Sequence, residues 1–127
     1  MRLLLATTLT LLLLAPDCAF AVCLKSEQAN TIVRGMLSEG SFEDANGNPE
    51  QAFILTPAIQ TCLSGDENIK ETEQVATIHI YSSNDAVTAT IKQLVGADVF
   101  VQGAPFGAHT AHHHAPIVMD VTGIQKY

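Results

Sequence analysis

Basic residues are scarce in this chain: six Lys and Arg stand against thirteen Asp and Glu, for a formal net charge of −7. Lys25, Arg34, Lys70, Lys92 and Lys126 are scattered singly. A surface of this sign repels phosphate backbones, so nucleic acid is not an expected partner, and anionic membrane surfaces are disfavoured for the same reason. Other absences narrow the chemistry. The sequence has no G-x-S-x-G elbow, and no serine or cysteine adjoins the histidines to act as their nucleophile. Thr110 is the one hydroxyl there, and a threonine between histidines is more often structural. There is no phosphate-cradling glycine loop, no C-x-x-C pair and no internal repeat. Asp66, Glu67, Glu71 and Glu73 lack the spacing of a calcium loop and read as a solvated acidic stretch. Catalysis is therefore not the expectation.

What is present begins with an export signal. Met1-Arg2 is a short positive start, Leu3 to Leu14 an apolar run broken only by threonines, and Ala19-Phe20-Ala21 a cleavage site of A-x-A type. The run is too short to span a bilayer, which takes ~20 apolar residues. Cleavage after Ala21 would leave Val22 as the first mature residue. A lipoprotein reading of Cys18 is opposed by Pro16 and Asp17, which stand where small residues are wanted. No second apolar run of membrane length follows, so no stable membrane insertion is expected after cleavage. The mature part, residues 22–127, is expected to be one domain, secreted or periplasmic. Its two cysteines, Cys23 and Cys62, are an even count in an exported chain and read as one disulfide rather than as free thiols.

Patterning within residues 22–127 predicts strands over 29–37, 51–63, 75–81, 98–106 and 116–124. Gly35 interrupts the first, suggesting a bend, and Asn46-Gly47-Asn48-Pro49 is the strongest turn signal. The third alternates Val75, Thr77, His79, Tyr81 with Ala76, Ile78, Ile80. One helix is expected next. Ser83 or Asn84 would cap it, Val87, Ile91, Leu94 and Val95 form one apolar stripe, and Gly96 follows its end. The order β-β-β-α-β-β is that of a small OB-like five-stranded barrel, with the helix between strands 3 and 4. An open α+β sheet is the alternative.

The unusual chemistry lies between the last two strands, where His109, His112, His113 and His114 are four of the five histidines. In an extended backbone His112 and His114 would share a face. With His109 folded back they would form a three-nitrogen site for Zn or Cu. Two other readings stand beside this one. The histidines could be structural, or His109, Thr110, His112, His113 and His114 could form a metal-free surface for a partner. No acidic residue lies within the segment to orient the rings. Asp120 follows it, and Asp98, across the hairpin, is the other candidate. His79, alone on its strand, reads as a surface residue or as part of the binding side of the barrel.

The stretch Val99-Phe100-Val101-Gln102-Gly103-Ala104-Pro105-Phe106, followed by Ala108-His109-Thr110-Ala111-His112-His113-His114-Ala115-Pro116-Ile117-Val118-Met119, resembles the C-terminal signature of a family of small exported bacterial proteins or domains of unknown function. The typical form of that signature is V-T-V-x-G-T-L-F-x-A-x-T-G-H-H-H-T-P-V-L-L. Cys23-Leu24, and Phe53-Ile54-Leu55 before Pro57 and Cys62, look like upstream parts of the same pattern. The sequence departs from it at Ala104-Pro105 and Ala111, and in the longer Pro57 to Cys62 spacing. The resemblance implies export and a small β-rich domain, and no activity. The expectation is a small binding module of the bacterial envelope whose partner is a protein, a glycan or a small molecule. The alternative is a Zn- or Cu-binding protein using residues 109–114.

Overall fold

A computed structural model describes residues 22–127; the expected signal, residues 1–21 with Cys18, lies outside the described residues. The fold is mainly β. In chain order its elements are β1 (Val22–Lys25), β2 (Thr31–Glu43), β3 (Pro49–Pro57), β4 (Thr61–Ser64), β5 (Ile78–Tyr81), α1 (Asp85–Gln93), β6 (Asp98–Gly107) and β7 (Ile117–Lys126).

Five strands each pair with two neighbours in the cyclic order β2-β3-β5-β7-β6, so this sheet closes on itself. Strand β2 makes closure possible by changing partners along its length. Thr31 to Met36 pairs with β6, and Gly35 to Glu43 pairs with β3. Gly35 stands at the changeover. A Cβ there would meet the Thr56 carbonyl of β3, so the close approach of the strands requires glycine. Strands β5 and β7 run parallel, and α1 lies in the connection that this pairing demands. Between β6 and β7 the register slips at Gln102/Gly103. Gly103 is needed at that bulge because a side chain would strike the Asp120 carbonyl.

Inward-facing side chains alternate along the strands of the closed sheet. Leu37, Leu55, Ile78, Ile80, Val99 and Val101 are fully buried and belong to one core cluster with Ile117 and Met119. Helix α1 adds Ile91, also fully buried. Asn84, not Ser83, caps it, accepting hydrogen bonds from the amides of Ala86 (2.9 Å) and Val87 (3.2 Å).

Several boundaries differ from the sequence expectation. The stretch 51–63 is two strands, because Pro57 has no N–H for a ladder and Ala58 donates to the Arg34 carbonyl instead. The second piece, β4, leaves the closed sheet and pairs in parallel with β1, a strand the patterning missed. Cys23 and Cys62 face each other in that pair and form the expected disulfide. Strand β2 runs on to Glu43, so the turn is confined to residues 44–48. Strand β5 begins at Ile78, while Val75 makes a separate bridge to Thr61.

Among the described residues no helix is long and apolar enough to cross a membrane. With a disulfide in place, this fits a chain that matures in an oxidising compartment.

Candidate functional site: a histidine lid on the closed sheet

Alternation along the strands also defines an outer face. The register places Ser38, Ile54, His79, Val118 and Phe106 side by side in one row across β2, β3, β5, β7 and β6. Such outward positions are normally wet. Yet Val118 is fully buried, Ile54 and Ala52 are nearly so, and none of the three joins the main core cluster. They are buried because the β6–β7 connection, residues 108–116, folds back over them and brings Ala115, itself buried, and His114 onto this face.

The lid is held by its own histidines, each in a different role. The ring of His114 stacks on Phe42 at 4.5 Å between centroids and lies 5.7 Å from the ring of His79. The amide of His114 donates to His79 Nδ1 at 3.2 Å. His113 Nδ1 accepts from the amides of His109 (3.0 Å) and Thr110 (3.3 Å), closing a tight turn. His109 Nδ1 donates to the Gly107 carbonyl at 3.0 Å, and the Thr110 hydroxyl accepts from the His112 amide at 3.3 Å. Thr110 is thus a turn-forming hydroxyl. The loop is bent rather than extended, so the strand argument for His112 and His114 does not apply. They are brought together another way: His112 Nδ1 and His114 Nε2 both donate to the Glu50 carboxylate, at 2.7 and 3.1 Å.

Glu50, on β3, is the orienting acid that sequence reasoning missed. A carboxylate only accepts, so it fixes a hydrogen on the facing nitrogen of each ring. The two acids considered from sequence are placed elsewhere. Asp98 pairs with Arg34 at 2.8 Å, and Asp120 lies on β7 opposite Ala104. His79 is half-buried and serves the lid rather than standing free on the surface. Asp66 is likewise not merely solvated. Its carboxylate accepts from Ser26, Asn68 and the Gly107 amide, which ties the 65–68 loop to the end of β6 where the lid begins.

The electrostatics follow from these contacts. Burial, then the neighbouring His114 and His113, pushes the His79 pKa down from 6.5 to about 4, so its ring is neutral at neutral pH. His113 is lowered by burial first, then by His109, His112 and His114. The hydrogen bond from His112, with that from His114, holds Glu50 below the usual carboxylate range against the opposing effect of desolvation. At Asp66 desolvation raises the pKa, but the donors around it outweigh that and the net direction is down.

For a metal, His109, His112 and His114 would have to converge. The lid instead directs His112 and His114 at Glu50, while the ring of His109 stands edge-on to His113 at 4.8 Å. Among the described residues no three His, Cys, Asp or Glu side chains are grouped to hold a metal ion.

Fold and site together define a small, disulfide-linked, mainly β chain with a histidine-rich lid on its closed sheet. Residues 77–125 match a family described as a domain of unknown function (DUF4431). The match runs from the start of β5 to the end of β7 and contains the whole lid, while Glu50 and the disulfide lie upstream of it. No curated protein and no solved structure matches the chain.

Proposed function

We propose that this chain is a small exported binding module of the bacterial envelope, built on an OB-type barrel, with the lid as its recognition surface. The observation that carries the reading is the position of the lid. OB-type barrels bind ligands on the outer face of their second and third strands, between the loops joining strands 1 and 2 and strands 4 and 5. The corresponding strands here are β3 and β5, and the corresponding loops are residues 44–48 and 108–116. The helix between the third and fourth strands of the closed sheet agrees with the same topology. The face carries aromatic rings, imidazoles and a carboxylate, suited to a protein, a glycan or a small molecule. No residue is assigned a catalytic role.

The test is retention of envelope components on the immobilised protein, beside a variant carrying His109→Ala, Thr110→Ala and His112→Ala. These positions are exposed, but each also makes a hydrogen bond that braces the lid, so hydrogen-exchange protection of the His114 amide is measured beside the melting temperature to show that the lid stays closed. A component held by the wild type and released by the variant, at unchanged melting temperature, supports the reading. Equal retention by both overturns it. Titration with Zn²⁺ and Cu²⁺ separates the metal reading of His109, His112 and His114. One-to-one binding tighter than ~100 μM, lost in His112→Ala/His114→Ala, would replace a partner surface with a metal site.

A further inference from the structure

We infer that the flank of the lid holds a pocket for an organic ammonium group, walled by Tyr81, Phe106 and His113 and faced by the carboxylates of Asp120 and Glu27. The inference rests on the binding-module reading and names a ligand chemistry for it.

A hollow of about 380 Å³ opens where these residues meet. The register makes the hollow. Tyr81, Asp120 and Ala104 are cross-strand neighbours on the outer face, and Ala104 contributes only a methyl to its floor. Phe106, two residues further along β6, raises one wall. Its ring stands edge-on to Tyr81 at 6.5 Å and to His113 at 5.4 Å, so the rings form a corner rather than a stack. Faces set at steep angles around a hollow are the arrangement that attracts an alkylammonium cation.

The charges point the same way. Among the described residues Asp120 and Glu27 form no ion pair; the one Lys or Arg pairing is Arg34 with Asp98. Burial, then Asp120 and Glu27, raises the pKa of the Tyr81 hydroxyl, which places both carboxylates within electrostatic reach of that wall. Glu27 is held at the rim by its backbone, whose amide donates to the Pro105 carbonyl at 2.8 Å. His113 is biased against carrying an opposing charge. Its Nδ1 is occupied as an acceptor, and burial lowers its pKa. A second hollow of about 350 Å³ shares Glu27, Phe106 and His109 and adds Asp66 and Glu67, so the negative surface continues past the pocket. Aromatic walls give the site shape for an alkylated nitrogen, and two unneutralised carboxylates give it sign.

The ammonium group could belong to a free small molecule or to a lysine side chain, and two probes distinguish them. Tetramethylammonium and Nα-acetyl-lysine amide are each titrated into the purified protein at low salt, with side-chain NMR shifts of Tyr81, Phe106 and His113 as the readout. Neopentyl alcohol, a neutral molecule of similar shape, is the control. Saturable shifts with Kd on the order of 1–10 mM are expected for at least one cation and none for the alcohol. Asp120→Asn and Phe106→Leu should each weaken binding about three- to tenfold, while Glu71→Gln, which removes a charge from an exposed turn away from the pocket, should leave it unchanged. Binding of tetramethylammonium alone assigns the pocket to a free quaternary ammonium. Binding of the lysine amide assigns it to a side chain. No saturable shift with either cation, equal binding of the alcohol, or full affinity in Asp120→Asn overturns the inference. If the pocket fails while loop-dependent retention of an envelope component persists, the binding-module reading stands without it; loss of both removes the reading as well.

Discussion

Glu50 accepts from two imidazoles at once, and a third, His79, accepts from the lid backbone. The two residues respond to acid differently. His79 has a folded-state pKa of about 4 against an ordinary 6.5. As pH falls through that window the unfolded chain takes up a proton that the folded chain refuses. The stability that neutral His79 contributes is therefore complete above 6.5 and is lost as pH falls toward 4. Glu50 is depressed below its ordinary 4.5, so its contribution is present above 4.5 and disappears at still lower pH. Hydrogen-exchange protection of residues 108–116 should accordingly decline in two stages on acidification. His79→Asn keeps an acceptor where Nδ1 stood but does not titrate. It should leave the lid protected at pH 7 and abolish the earlier stage; an unchanged profile would mean that His79 does not set it.

At the scale of elements, local signals located most of the secondary structure. The alternation around Ile78 to Tyr81 marks β5, and the stripe through Val87 and Ile91 marks α1. Asn84→Ala removes the acceptor for two helix amides and should cost ~1 kcal/mol, lowering the melting temperature by ~4–8 °C in a domain of this size. A scan showing no change would mean that the Ser82 hydroxyl, which already accepts from the Asn84 amide, takes over the cap. The histidine segment was legible as the candidate site because its composition is unusual. Its mechanics were not, because they depend on register. Glu50 is 62 positions from His112 in the chain and looks like an ordinary polar residue beside a turn. Only the pairing of β2 with β3, and of β3 with β5, carries it beneath the lid. The β1–β4 pair was legible only as the expected bond between Cys23 and Cys62, not as a pair of strands. Two four-residue segments 39 positions apart are too short to carry a strand pattern, and their parallel register appears only in the folded chain.

For the molecule as a whole, that bond ties the first described strand to the body of the fold. Replacing both cysteines by alanine should cost ~3–4 kcal/mol on the chain-entropy account. The loss should appear as a lower denaturant midpoint with the closed sheet retained. A midpoint unchanged from wild type would show that Leu24, Leu63 and the β1–β4 hydrogen bonds suffice to hold the segment.

The ring of five strands has a consequence for how this chain can meet others. Recruitment by strand addition needs a row of vacant amides and carbonyls along a sheet margin. In the cyclic order β2-β3-β5-β7-β6 each strand has two neighbours, although the far ends of β2 and β3, residues 37–43 and 49–52, are laddered only to each other. Within the ring a partner peptide cannot add a strand, and neither can another copy in a growing fibre, unless the ring first opens; the margin left for addition is the short β2–β3 end. The short β1–β4 ribbon is the one paired element outside the ring among the described residues, and its covalent cross-link limits its freedom to exchange strands. On the proposed binding function, recognition falls to side chains and to the lid, the nine residues between β6 and β7 that lie outside the hydrogen-bonded ring.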